Sequence, residues 1–283
     1  MARTRALLAT AALVLTAGLA ACSGDDAPAP GDPTVTARAK PRPPARPARL
    51  VREGPPVEVR VLQYNIQFAD AGIDGVVDDI RAADADIVLL NEIDDRRSTG
   101  GLLQPRYLAR KLGMNVAFDP NGTVRHGVRG NAVLTSFDIA YVRRFDLPTP
   151  DGTEKRGLMD VVVRQGDVQL DVWTTHLNPD VGTLAQARRV RTIIGEPACT
   201  TVLAGDLNVK PYRNPPTLLR EHLGDVWRYV GDGAGGTNRA GNRRIDYMYF
   251  ARAEPVSAEV RPRGSSDHRG LLGTFSVDPD DNC

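Results

Sequence analysis

Aromatic residues make up only 5% of this 283-residue chain, which has three cysteines and four histidines. So few rings argue against tight nucleic-acid binding through a broad stacking surface. Three cysteines are too few for a fold held together by a disulfide framework. Charge of one sign is also missing. The formal net charge is +1, and from Glu53 onward 28 Lys and Arg (36 less 8) face 32 Asp and Glu (35 less 3), near −4. Bulk charge therefore excludes a basic nucleic-acid binder, while an excess of carboxylates suits a metal-site enzyme. No internal repeat is evident. Beyond the N-terminus no long apolar insertion would enter a bilayer.

The N-terminus is rich where the rest is poor. Arg3 and Arg5 precede an uncharged apolar stretch, Ala6 to Leu19, too short for a comfortable membrane span. Residues 1–21 therefore read as a signal peptide. Leu19-Ala20-Ala21-Cys22 resembles a bacterial lipobox, in which the cysteine is lipidated and becomes the new N-terminus; ordinary secretion with cleavage nearby is the alternative. Residues 22–56 form a tether, with nine prolines among the 34 residues from Ser23. Such a segment stays extended and reaches up to about 100 Å. Its basic second half reads as a solvated linker, or as an attraction to anionic lipid or cell-wall polymer. The expected place is the extracellular face of the cell membrane, with Cys22 as the lipid anchor. Cys199 and Cys283 remain as an even pair in an exported chain, where a disulfide persists. It would close a loop of about 85 residues and stabilise by ~4 kcal/mol in the chain-entropy model; two free thiols are the alternative.

The remaining segment, 57–283, has the size of one large α/β domain. Strands are expected at Val57–Tyr64, Asp86–Leu90, Asn131–Thr135, Ile139–Phe145, Gly157–Val163, Val168–Thr174, Thr201–Ala204, Asp246–Tyr249, Val256–Val260 and Leu271–Val277. Helical spacing covers Asp74–Ala83, Leu102–Leu112 and Thr183–Ile194. Hairpins mix with strand–helix crossovers, so two mixed sheets packed face to face with helices outside fit best.

Five short motifs carry the chemistry: Tyr64-Asn65-Ile66, Asn91-Glu92-Ile93, Thr175-His176-Leu177, Gly205-Asp206-Leu207-Asn208 and Ser266-Asp267-His268, with Arg244-Ile245-Asp246-Tyr247 before the last. Each puts an amide, carboxylate or imidazole at the end of an apolar, β-prone run. Gathered on one sheet edge, they would supply hard oxygen ligands for a divalent cation and two histidines for proton transfer. That equipment suits metal-assisted phosphoester hydrolysis. Glu92 is the best single metal ligand, and Asp246 is the natural acceptor to orient His268.

In this order and spacing the motifs resemble the endonuclease/exonuclease/phosphatase family, the deoxyribonuclease I-like superfamily, across residues 57–278. The resemblance implies an α/β (mixed α+β) four-layer sandwich of two mixed β-sheets flanked by helices. It implies Mg²⁺- or Mn²⁺-dependent cleavage of a phosphoester. By the family pattern Asn65, Glu92 and Asp267 hold the metal. His176, Asp206, Asn208, Asp246 and His268 are catalytic, and Arg156 and Asn131 meet the substrate. One departure concerns Thr237: relatives follow this threonine with an aromatic residue, whereas here Asn238 follows, inside the glycine-rich stretch Gly231–Gly241. The expected molecule is a monomer acting on a phosphoester, DNA or RNA first. Arg125, Arg129, Arg239, Arg243 and Arg244 sit in loops where they could meet phosphates. A phospholipid or sphingolipid phosphodiesterase, a small-molecule phosphatase and a catalytically inactive surface binding protein are the alternatives.

Overall fold

A computed structural model describes residues 54–94, 103–124 and 127–279. The signal peptide, Cys22, the tether up to residue 53, Arg125 and Cys283 lie outside these residues. Cys199 is disulfide-bonded, and the expected pairing with Cys283 falls outside the described part. No helix among the described residues is long and apolar enough to cross a membrane.

The strands are β1 (Val57–Asn65), β2 (Ile87–Asp94), β3 (Asn115–Val124), β4 (Gly127–Thr135), β5 (Asp138–Asp146), β6 (Gly157–Gln165), β7 (Val168–His176), β8 (Thr201–Asp206), β9 (Gly224–Asp225), β10 (Asp246–Ala251), β11 (Glu254–Val260) and β12 (Leu271–Val277). The helices are α1 (Ile73–Ala83), α2 (Gln104–Leu112), α3 (Thr183–Ile194), α4 (Asn214–Leu219) and α5 (Val226–Val230). Two six-stranded sheets form, in the orders β11-β12-β1-β2-β4-β3 and β5-β6-β7-β8-β10-β9. Both are mixed, with the parallel pairs β1–β2 and β7–β8 near their middles.

The core strands are buried on both faces, which is why they read as continuous apolar runs. Side chains alternate across a strand. Val59, Val61, Ile87, Leu89, Val172, Val202, Ala204, Met248 and Phe250 therefore meet in the core between the sheets. The intervening Leu62, Tyr64, Val88 and Leu90 pack outward against α1 and α2, while Trp173, Leu203, Tyr247 and Tyr249 pack outward against α3 and α4. Three apolar layers thus separate four layers of structure, the sandwich expected from the sequence.

Several elements were not expected. β3 contains Pro120 and Gly122, and its pairing with β4 shifts between Asp119 and Gly122. It is an edge strand, where a bulge and a proline are tolerated. Helix α4 begins Asn-Pro-Pro, which reads as a turn until the first helical turn makes the missing N–H groups harmless.

Candidate active site

The alternation that builds the core also builds the site. Continuing each inward-facing series toward one edge gives Gln63 and Asn65 on β1, Asn91 on β2, Thr174 and His176 on β7, Asp206 on β8 and Asp246 on β10. The polar residues are thus the last layer of the central interface. β1, β2, β7 and β8 all reach that edge with their C-terminal ends, and the antiparallel β10 starts there. The register sets Asn65 beside Asn91, His176 beside Asp206, and Asp206 beside Asp246. Gly205 is needed for this fit, because a Cβ there would lie 1.9 Å from the Thr175 carbonyl oxygen.

Asn91 joins the two sheets. Its Oδ1 accepts from Gln63 Nε2 at 2.8 Å and from the Asp206 backbone N–H at 2.9 Å. Its Nδ2 donates to Asn131 Oδ1 at 2.8 Å and to the Thr175 carbonyl at 3.2 Å. Fully buried, it is the residue whose importance sequence reasoning missed; the signal was its place before Glu92. Asn131, expected at the substrate, is 1% exposed; its Oδ1 accepts from Asn91 and its Nδ2 has no hydrogen-bond partner.

Glu92 escapes the alternation. Pairing of β2 with β4 shifts between Leu90 and Ile93, and Glu92 has φ 52°. A bulge and a left-handed backbone re-aim the side chain, a strain that non-glycine residues accept only where the surroundings enforce it. Asn65 Nδ2 then donates to Glu92 Oε1 at 3.2 Å and to Asp206 Oδ2 at 3.1 Å. Two carboxylates share one amide, and neither forms an ion pair with a lysine or arginine among the described residues.

His176 is held at both ring nitrogens. Arg156 Nη1 lies 2.9 Å from Nδ1. A guanidinium only donates, so Nδ1 accepts and the single proton of the neutral ring sits on Nε2. Nε2 faces Asp206 Oδ2 at 3.6 Å and Glu92 Oε1 at 4.0 Å. The Asn208 amide nitrogen lies 2.9 Å from both Nε2 and the Leu177 carbonyl oxygen. It donates to the carbonyl; toward Nε2–H it is a mismatch that an incoming acceptor oxygen relieves. Burial, then the Arg156 and His268 charges, hold the His176 pKa well below 6.5, so the ring stays neutral. Arg156 itself is engaged at all three nitrogens, by Asn178 Oδ1 at 2.9 Å, by His176, and by Glu154 at 3.2 Å.

His268 Nδ1 is 2.8 Å from Asp246 Oδ2, and its Nε2 is 3.7 Å from Asp206 Oδ2. Burial lowers the pKa of this imidazole, but Asp246, Asp206 and Asp267 outweigh it and raise it to about 10. Burial and the Asp246 charge lift Asp206 to about 7. The ring nitrogen and the two carboxylates interact strongly, so their titration belongs to the group. The glycine-rich stretch clamps this end: the Thr237 hydroxyl accepts the Ile245 and Asp246 N–H groups at 3.1 and 3.0 Å. Asn238 pairs with His268 as an isolated bridge. The Ser266 hydroxyl donates to the Asn65 carbonyl at 2.7 Å and accepts the His268 N–H at 3.1 Å.

Asp206, Asp246 and His268 place ligand atoms within 4.8 Å of one another, and Asp246 Oδ1 is buried without a partner. An orphaned carboxylate oxygen beside the Glu92–Asp206 pair fits a hard cation. Asp267 is half-buried, its carboxylate 3.4 Å from the Ser266 hydroxyl and outside that group. Arg244, expected to meet phosphates, is buried and gives both guanidinium arms to Asp225 at 2.7 and 2.8 Å, so that reading is corrected.

Residues 62–268 match the endonuclease/exonuclease/phosphatase family. The chain belongs to this family. Its members are hydrolases acting on phosphoester bonds, and they generally depend on a divalent metal. Similar solved structures include an endonuclease/exonuclease/phosphatase from Beutenbergia cavernae, with 27% identity and a TM-score of 0.64, covering 78% of this chain and 72% of that one. The catalytic domain of human Nocturnin with a bound sulfate anion has 20% identity and a TM-score of 0.63, covering 78% of this chain and 93% of that one. Truncated TDP2 from Caenorhabditis elegans has 21% identity and a TM-score of 0.56, covering 78% and 98%. The last two share the fold. No curated protein matches the chain.

Proposed function

We propose that this chain hydrolyses phosphodiester bonds in nucleic acid with Mg²⁺ or Mn²⁺, at the outer cell surface, tethered by a lipid on Cys22. The observation that carries the reading is the convergence of Asn65, Glu92, His176, Asp206, Asn208, Asp246 and His268 from both sheets on one edge. A cation held by the Glu92 and Asp206 carboxylates, with the Asn65 amide turned from donating to them so that its oxygen meets the ion, would neutralise charge on the phosphate oxygens. The residues do the rest. Water attacks phosphorus in line with the leaving oxygen, and its proton goes to the Asp206 carboxylate, beside the His268 imidazolium that Asp246 and Thr237 keep in place. The neutral His176 offers its Nε2–H to a phosphate oxygen, and that oxygen replaces the mismatched contact with Asn208.

The test uses the full chain with plasmid DNA and with bis-p-nitrophenyl phosphate, each in Mg²⁺, Mn²⁺ and EDTA. Metal-dependent nicking is expected, and His268→Ala should lower it by about 10²- to 10⁴-fold. Cleavage of the small diester beside intact DNA would redirect the reading to lipid or small phosphodiesters; silence on both would sink it. Cys22→Ala should move the protein from the membrane fraction to the medium.

A further inference from the structure

Next to the candidate site, and sharing Asn208 with it, runs a groove of about 480 Å³. Its walls are the loop after β8, the residues before β10 and the entry to α3. Lys210, Arg213 and Arg243 line it, and none of the three forms an ion pair with a carboxylate among the described residues. One acid, Asp180, lines it as well. Cations left without carboxylate partners beside a phosphoester site are free to take phosphate oxygens. The groove also carries an aromatic ring. Tyr212 is 69% exposed, one of two exposed rings among the described residues, the other being Tyr141 on β5. The Arg213 guanidinium sits 5.6 Å from the centre of that ring, which braces one face of the phenol. A ring so held leaves its other face for a planar partner.

We propose that this groove is a nucleotide subsite for single-stranded nucleic acid: a base stacks on Tyr212 while Lys210 and Arg243 hold the phosphate next to the one being cut. The inference rests on the phosphodiesterase reading above and deepens it. The volume suits one nucleotide unit. A base inside a duplex offers no free face, so the groove selects unpaired strands. The near-neutral fold needs no basic surface for this, because the three cations are confined to the groove.

The test separates binding from cleavage. Full-length protein in EDTA is titrated with a fluorescent 5′-phosphorylated oligothymidylate and with the matching duplex, and anisotropy is read. Single strands should bind more tightly than duplex. Tyr212→Ala should raise Kd about 5- to 100-fold, and Tyr212→Phe should restore it. Lys210→Ala with Arg243→Ala should flatten the slope of log K against log salt by about 1.4. With Mg²⁺ present, Tyr212→Ala should lower kcat/KM for the oligonucleotide relative to that for bis-p-nitrophenyl phosphate by a similar factor. Equal binding by wild type and Tyr212→Ala, or equal affinity for duplex, would overturn the subsite. So would capture by anionic phospholipid vesicles with no affinity for the oligonucleotide. Tyr212-dependent binding without any cleavage would keep the subsite and remove the nuclease reading instead.

Discussion

A single side chain, Arg156, shows how a role changes when partners become visible. By family pattern it meets the substrate phosphate. In the fold its nitrogens reach Asn178, His176 and Glu154, and its contact with Nδ1 sets which nitrogen of His176 carries the proton. Arg156 is therefore a positioning residue as well. In ¹⁵N spectra at pH 7, His176 should show a protonated Nε2 and a bare Nδ1. Arg156→Met should mix the two tautomers, raise the His176 pKa toward its ordinary value and lower kcat. An arginine that only gripped substrate would raise KM and leave the tautomer alone, and that outcome would refute the assignment. Glu92, His176, Asp206 and His268 were legible in the sequence because each ends or begins an apolar run. Asn91 stood out only as the neighbour of Glu92, and Thr237 only as a family position, since an amide or hydroxyl that serves other protein groups gives no local sign of its contacts.

Among the elements, β6 carries a buried charge that no site uses. Asp160 is fully buried with Arg143 at 2.7 Å, and its Oδ1 has no partner. Burial lifts its carboxyl to about 6, with Arg143 pulling the other way. In the unfolded chain this group titrates near its ordinary value of about 3.9. Ionising it in the folded state therefore costs stability. The loss begins as pH rises past about 4 and is complete above about 6, on the order of 2–3 kcal/mol. Asp160→Asn should remove that part of the slope. The comparison is the urea midpoint of variant against wild type at pH 4.5 and 7.5; an unchanged difference at the two pH values would mean Asp160 is ionised throughout. Elements with strong periodicity, such as α3, coincide with the expected boundaries. The strands β1, β2, β7 and β8 run one to four residues further than their apolar patterns. Those extra residues are the site: hydropathy marks where a strand stops being apolar, and backbone pairing continues past that point.

At the scale of the whole molecule, the site is the polar rim of an interface between two sheets. A cation there should tie the halves together. At a hundredfold excess over its Kd, Mn²⁺ should stabilise the fold by about 2.7 kcal/mol, roughly 5–10 °C in melting temperature for a domain of this size. EDTA should reverse the shift and Glu92→Gln should shrink it; a melting temperature indifferent to Mn²⁺ would place the cation elsewhere. The linear sequence by itself determined the sandwich, because alternation and apolar runs are local consequences of strand geometry. It also determined the chemical class, because the motif order survives without knowledge of contacts. Only the tertiary structure decided which polar groups touch. Asp206 and Asn65 are 141 residues apart and Asp206 and Asn91 are 115 apart, and their meeting depends on two sheets closing face to face. The same closure buried Arg244 and Asn131 and left Tyr212 in the open, a difference that no local pattern encodes, because burial is set by what packs from elsewhere in the chain.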